Sequence, residues 1–166
     1  STSVDGNPFK PTTGDQYEAG LRYQYGNSIY ITFGGYQITQ QNITTPDPLG
    51  RMCGTATCLT QTGEGRVRGL ELEGKASLPW DMAIIFTGTR SDAKTTKSNT
   101  ASQVGNYLPQ APKWMAALFV DRRIRHGVFA GVGLGGSVRY TGQSYGDTAN
   151  TLAIPDYTLF DLFLRY

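Results

Sequence analysis

Two glutamates two positions apart, Glu71 and Glu73, are the first residues in this 166-residue chain that could do chemistry. On an extended strand they share a face with their carboxylates about 6.5–7 Å apart, a separation of the order glycoside hydrolysis uses. Lys75 continues that face, and a solvated ladder of charges accounts for all three without catalysis. His126 is the sole histidine; it stands among Arg122, Arg123 and Arg125, with no partner that suggests a catalytic set. The run Gly131-Val-Gly133-Leu-Gly135-Gly136 matches G-x-G-x-x-G in letters only. The dinucleotide fingerprint needs a helix after it, and here strand-like sequence continues to Arg139 and Tyr140. These glycines read instead as room left at a crowded wall. Cys53 and Cys58, the only cysteines, lie in a loop-like segment with no histidine nearby. That pattern reads as a local disulfide rather than a metal site, and implies an oxidising compartment. The residues offer no catalytic group and no protein metal ligand.

The carboxylate pair sits in a stretch of period two. Leu70, Leu72, Gly74, Ala76 and Leu78 take one set of alternate positions; Glu71, Glu73, Lys75 and Ser77 take the other. This is a β-strand with one apolar and one polar face. Counted from Arg66 it runs about 13 residues, well past the usual strand length of roughly 5–6. Similar alternation gives expected strands at 16–25, 28–41, 66–78, 82–91, 113–123, 128–140 and 157–166. In 113–123, Trp114, Ala116, Leu118 and Val120 oppose Met115, Ala117, Phe119 and Asp121, and both sets are apolar near the middle, so period alone does not orient that strand. Residues 1–15 and the polar segments 42–65, 91–112 and 141–156 are expected as loops.

Short turns and long loops alternate without exception, so an antiparallel meander puts all short turns at one end and all long loops at the other. Outer-membrane β-barrels have this arrangement, with short periplasmic turns and long external loops. Tyr23, Tyr25, Trp80, Trp114, Tyr140, Tyr157 and Tyr166 stand near strand ends, where aromatic girdles meet lipid headgroups. The Leu70/Leu72 face then looks to lipid, and Glu71, Glu73 and Lys75 look to a wet lumen, where Glu18, Arg22, Arg139, Asp161 and Arg165 can pair across strands. With 15 basic and 13 acidic residues mixed along the chain, no basic block marks a nucleic-acid partner. The expected fold is all-β, an antiparallel meander of about seven long strands.

Within these strands the sequence G-E-G-R-V-R-G-L-E-L-E-G-K-A-S-L (63–78) resembles the barrel-strand motif of TonB-dependent siderophore receptors. The resemblance extends to D-Q-Y-E-A-G-L-R-Y (15–23), Y-Q-I-T-Q-Q-N (36–42), P-Q-A-P-K-W-M-A-A-L (109–118), V-R-Y-T-G-Q-S-Y-G-D-T-A-N (138–150) and I-P-D-Y-T-L-F-D (154–161). Within that family it is most like the ferrichrome and ferrioxamine type of hydroxamate receptor. The resemblance implies a 22-stranded transmembrane β-barrel, of which these residues supply a C-terminal part of the wall. The plug domain, with its TonB-contacting segment, is not among them. Ser1 opens inside a polar segment with no signal peptide, as expected for a processed chain or an interior piece of a longer one.

The resemblance further implies uptake of an iron(III)–siderophore through the Gram-negative outer membrane, energised by the TonB complex. Iron arrives already chelated, so no cofactor is expected; outer-membrane lipid and lipopolysaccharide are the expected surroundings. The implied ligand-lining candidates are Tyr107, Gln110 and Tyr145, and the 42–65 loop is expected to fold over the ligand with its tip stiffened by Cys53–Cys58. Three rivals share much of the pattern: a TonB-dependent receptor for haem, cobalamin or a sugar, a passive porin, and a soluble β-domain.

Overall fold

A computed structural model describes residues 3, 4 and 8–166 of the chain. Its strands in order are β1 (Thr13–Tyr25), β2 (Ile29–Pro46), β3 (Met52–Cys53), β4 (Ala56–Thr57), β5 (Leu59–Leu78), β6 (Met82–Lys97), β7 (Trp114–Arg123), β8 (Gly133–Thr141), β9 (Ser144–Tyr145), β10 (Ala153–Ile154) and β11 (Tyr157–Arg165). One antiparallel seven-stranded sheet runs β1-β2-β5-β6-β7-β8-β11, and β3/β4 and β9/β10 are small hairpins in the long connections. A 3₁₀ turn spans Ala101–Gln103. Each long strand pairs with its neighbour in sequence, which is the expected meander. The sheet is open: β1 and β11 are its edges.

The register brings the separate alternations into line. One row across all seven strands reads Tyr23, Ile31, Gly74, Phe86, Leu118, Val138 and Phe160. The adjacent row, on the other face, reads Arg22, Thr32, Glu73, Thr87, Ala117, Arg139 and Leu159. A slip of one residue at any ladder would have mixed the two sets. The row through Leu118 also orients β7: Trp114, Ala116, Leu118 and Val120 join the apolar face, and Met115, Ala117, Phe119 and Asp121 the polar one. Among the described residues no second layer covers the apolar face; Phe160 is 77% and Leu162 91% exposed, and Cys58 and Ala93 are the only buried hydrophobic residues among those described. A one-layer sheet with a bare apolar side and no core is what a barrel wall looks like without its lipid.

Three strands reach further toward the loop end than the alternation indicates. β2 continues to Pro46, β5 starts at Leu59 and β6 continues to Lys97, so much of 42–65 and the start of 91–112 are strand rather than loop. The reason is physical. β-Branched residues favour strand, so Thr44, Thr45, Thr60, Thr62, Thr95 and Thr96 form strand without any apolar alternation to signal it, and the buried Thr45 hydroxyl shares hydrogen bonds with those of Thr60 and Thr62. β1 likewise begins at Thr13, inside the segment expected as loop; positions 1, 2 and 5–7 of that segment lie outside the described residues. In the other direction, β8 begins at Gly133 rather than at 128. Gly127 (φ 84°) and Gly131 (φ 95°) are left-handed, and Ala130 N–H donates to Gly127 O, so 124–132 is a compact turn.

The glycines of β8 do leave room. Gly133 and Gly135 lie on the polar face between β7 and β11, where a missing side chain lets residues of those two strands meet over the strand that separates them. Phe119 and Phe163 stack with ring centroids 5.6 Å apart, and Arg165 Nη2 donates to Asp121 Oδ2 at 2.6 Å. A Cβ on Gly133 would come within 2.5 Å of Arg165 Nε.

Candidate functional site

The short-turn end offers little chemistry: Arg125 pairs with Asp81 there, beside His126. On the polar face two cross-strand ion pairs form as charge alternation leads one to expect. Arg139 meets Asp161 at 3.1 Å, with Ser137 also donating to that carboxylate, and Arg165 meets Asp121. These are partly exposed pairs that water and salt screen, so each adds little to stability. Glu71, Glu73 and Lys75 share this face as a ladder, and no group of three His, Cys, Asp or Glu side chains gathers among the described residues.

The long-loop end is more elaborate. At the tip of the β2–β5 connection Cys53 and Cys58 are disulfide-bonded, with Cα atoms 4.9 Å apart. Below them the side chain of Asp47, buried, receives Arg51 Nε at 2.8 Å, Arg51 Nη2 at 3.0 Å and the Arg51 backbone N–H at 3.0 Å. Asp47 N–H in turn donates to Cys58 O, and Cys58 N–H to Arg51 O. The hydrogen bonds and charge of Arg51 hold the Asp47 carboxyl down at about 2, against an ordinary 3.8. Because the folded value is the depressed one, the clasp is at full strength above pH 3.8 and is lost as the pH falls through about 2. Amide protection at Asp47 and Cys58, corrected for intrinsic exchange, is therefore expected to hold flat from pH 7 to 4 and fall below it. Asp47→Asn is expected to lower it at neutral pH and to remove the acid step; an unchanged step in that variant would assign it to another group.

The other two loops are fastened to the first and to each other. Asn99 Nδ2 donates to Thr60 Oγ1 at 2.6 Å and to Pro46 O at 3.1 Å. The Asn150 amide spans the backbone of Tyr107, accepting from its N–H at 2.7 Å and donating to its C=O at 2.9 Å. Asp147 caps its own turn through Thr151 and Leu152, and those hydrogen bonds lower its pKa. The three loops thus form one hydrogen-bonded wall above the sheet. Asn150→Ala removes both strap bonds, so faster exchange is expected at the Tyr107 and Leu108 amides with no change at β5; protection kept at Tyr107 would mean the strap is not what holds it.

Of the residues singled out in the sequence, Tyr107 and Tyr145 are brought together, stacked at 5.9 Å, and the Gln110 N–H donates to Tyr145 O at 2.7 Å. Tyr107 bridges Lys94, whose register partner is Arg66. Its ring therefore lies on the side of the sheet that carries Leu70 and Leu72, packed against Lys94 Nζ at 5.0 Å and Lys113 Nζ at 4.1 Å. Beside it Arg90 lies over the Trp114 ring at 5.3 Å, and Arg68 Nε donates to Gln37 Oε1 at 2.7 Å. Together these line an open groove of about 650 Å³. Sequence reasoning did not find this cluster. Its signal was parity: Arg68 shares alternate positions with Leu70, and Arg90 with Phe86, so both cations belong to the apolar face just beyond its end.

A meander with short turns at one end, fastened loops at the other and unlike faces between them is a section of an outer-membrane receptor barrel. The chain belongs to the family described as TonB dependent receptor-like, beta-barrel, which matches residues 1–166. It is 38% identical over 163 residues to the ferrichrome outer membrane transporter/phage receptor of Escherichia coli K12, covering 98% of this chain and 21% of that protein. It is 29% identical to the ferrioxamine B receptor of Salmonella typhimurium LT2, covering 98% of this chain and 22% of that one. The ferric preacinetobactin receptor from Acinetobacter baumannii superposes with a TM-score of 0.83 at 24% identity, over 98% of this chain and 24% of that structure. The chain thus spans about a fifth of the length of the curated relatives it matches.

Proposed function

We propose that the chain is a wall section of a Gram-negative outer-membrane receptor that takes up iron(III)–siderophores of the hydroxamate type, energised through TonB. The observation that carries this reading is the pairing of a continuous apolar face with a polar, charged one on a family-matched sheet, whose relatives include ferrichrome and ferrioxamine receptors. The chemistry is transport. The siderophore arrives with its iron already chelated, so the wall needs neither a metal ligand nor a resident cofactor, and it makes or breaks no bond. Glu71, Glu73 and Lys75 keep the lumen wet and present charge to whatever fills it. The disulfide-tipped β2–β5 hairpin and Gln110 stand at the external rim, where an arriving ligand is first met.

The test is growth of an iron-limited strain that lacks its own hydroxamate receptors, complemented with the receptor that contains this chain. Uptake of radiolabelled iron from ferrichrome or ferrioxamine is expected only when TonB is present. Uptake that ignores TonB would indicate a passive pore, and uptake of haem or cobalamin alone would move the protein to another ligand class. Cys53→Ser with Cys58→Ser is expected to weaken ligand affinity several-fold with the barrel intact; unchanged affinity would remove the hairpin from ligand capture.

A further inference from the structure

The groove beside Tyr107 faces away from the lumen. On β5 the apolar positions run from Leu70 to Leu78, nine residues, which is the length a tilted strand needs to cross hydrocarbon. Arg68 is the next residue of that face on the external side, and Arg90 and Trp114 share the row of Leu70. The groove therefore opens where acyl chains give way to headgroups. It is lined by Arg68, Arg90, Lys94 and Lys113 against one carboxylate, Asp92, which is engaged by Lys94 at 2.9 Å. Among the described residues no carboxylate lies within ion-pair distance of the other three cations. Arg68 and Arg90 are held by neutral partners, the Gln37 amide and the Trp114 ring, which fix the side chains without neutralising them. Held cations with charge to spare, at headgroup depth, complement a dense anion.

We propose that this groove binds the phosphates of a phosphorylated glycolipid of the outer leaflet, of the lipopolysaccharide type. The guanidinium forks of Arg68 and Arg90 grip one phosphate, and Lys94 and Lys113 meet a second group from above. Trp114 and Tyr107 set the depth, their rings at the interface where amphipathic aromatics rest. The site rests on the outer-membrane placement proposed above but not on the siderophore; lipid binding is measured without ligand, so its failure leaves transport standing.

The receptor containing this chain, reconstituted in phosphatidylcholine nanodiscs, is titrated with bisphosphorylated lipid A, with a dephosphorylated analogue and with inorganic phosphate. Saturable binding of lipid A is expected, with at least tenfold weaker binding of the dephosphorylated form. Arg68→Gln with Arg90→Gln is expected to weaken lipid A binding about tenfold or more, and Lys113→Gln about threefold. Heat-modifiable mobility checks that each variant is folded, and Lys75→Gln on the lumen face is expected to bind like the parent. Equal binding by the parent and the folded variants overturns the site. So does equal binding of lipid A with and without phosphates. Inorganic phosphate that binds at the same residues and is not displaced by lipid A overturns the lipid as occupant.

Discussion

Gly135→Leu is expected to destabilise the barrel wall by on the order of 2–4 kcal/mol, the largest effect of any single change considered for β8. A Cβ at position 135 meets the Phe163 ring and stands 2.5 Å from the Val120 carbonyl oxygen. The ring can swing away, but the carbonyl belongs to the β7–β8 ladder and moves only if that ladder opens. Overpacking of this kind costs about 1–3 kcal/mol. Displacing Phe163 also forfeits its stack on Phe119, worth about 0.5–1.5 kcal/mol. Gly88→Ala supplies the contrast, because nothing lies within 4 Å of a Cβ there. It is expected to be neutral or slightly stabilising through a stiffer unfolded chain, by about 0.4–1 kcal/mol. Urea unfolding of the receptor in lipid vesicles reads both. A Gly135→Leu midpoint equal to the parent's would mean that β7 and β11 do not meet over β8.

Leu72→Arg is expected to cost about 2–3 kcal/mol, and Glu73→Arg next to it close to nothing. Leu72 lies within the apolar run of β5, one step of the face from its central row, and a guanidinium there must be taken into hydrocarbon or snorkel out of it. Arginine at the midplane of a barrel costs about 2–4 kcal/mol, falling toward about 0–1 near the interfaces. Glu73 is one residue further along but on the other face, in the row of Arg22, Thr32 and Arg139, where water solvates either sign of charge. The same unfolding assay separates them. Equal costs at the two positions would say that both faces of β5 see the same medium.

Much of this was legible in the sequence because a membrane imposes its pattern on each strand separately. Leu70 to Leu78 alternate with Glu71 to Ser77 without reference to any neighbour, and the short-turn, long-loop rhythm gave the meander. What period two could not give was anything that depends on two strands at once. The orientation of β7 came only when its Leu118 fell into the row of Phe86 and Val138. The threonine-rich ends of β2, β5 and β6 looked like loop because threonine on both faces leaves no apolar alternation to read. Tyr107 was picked out as an aromatic in an external loop, but which side of the sheet it takes is fixed by its bridge to Lys94, a contact no spacing reveals. The Arg68–Arg90 groove was missed for the same reason, its four cations coming from three separate segments and being unremarkable one at a time.

A nitroxide scan of β5 tests the assignment of the two faces most directly. Single cysteines at Leu70, Glu71, Leu72, Glu73, Lys75 and Ala76 of the receptor containing this chain, with Cys53–Cys58 left oxidised, are spin-labelled in lipid bilayers. Labels at 70, 72 and 76 are expected to collide with oxygen dissolved in the hydrocarbon and to be shielded from an aqueous nickel chelate. Labels at 71, 73 and 75 are expected to show the reverse, or shielding from both where the lumen is filled. A scan with no alternation, or with Glu71 and Glu73 in the lipid phase, would contradict the barrel-wall assignment of this sheet.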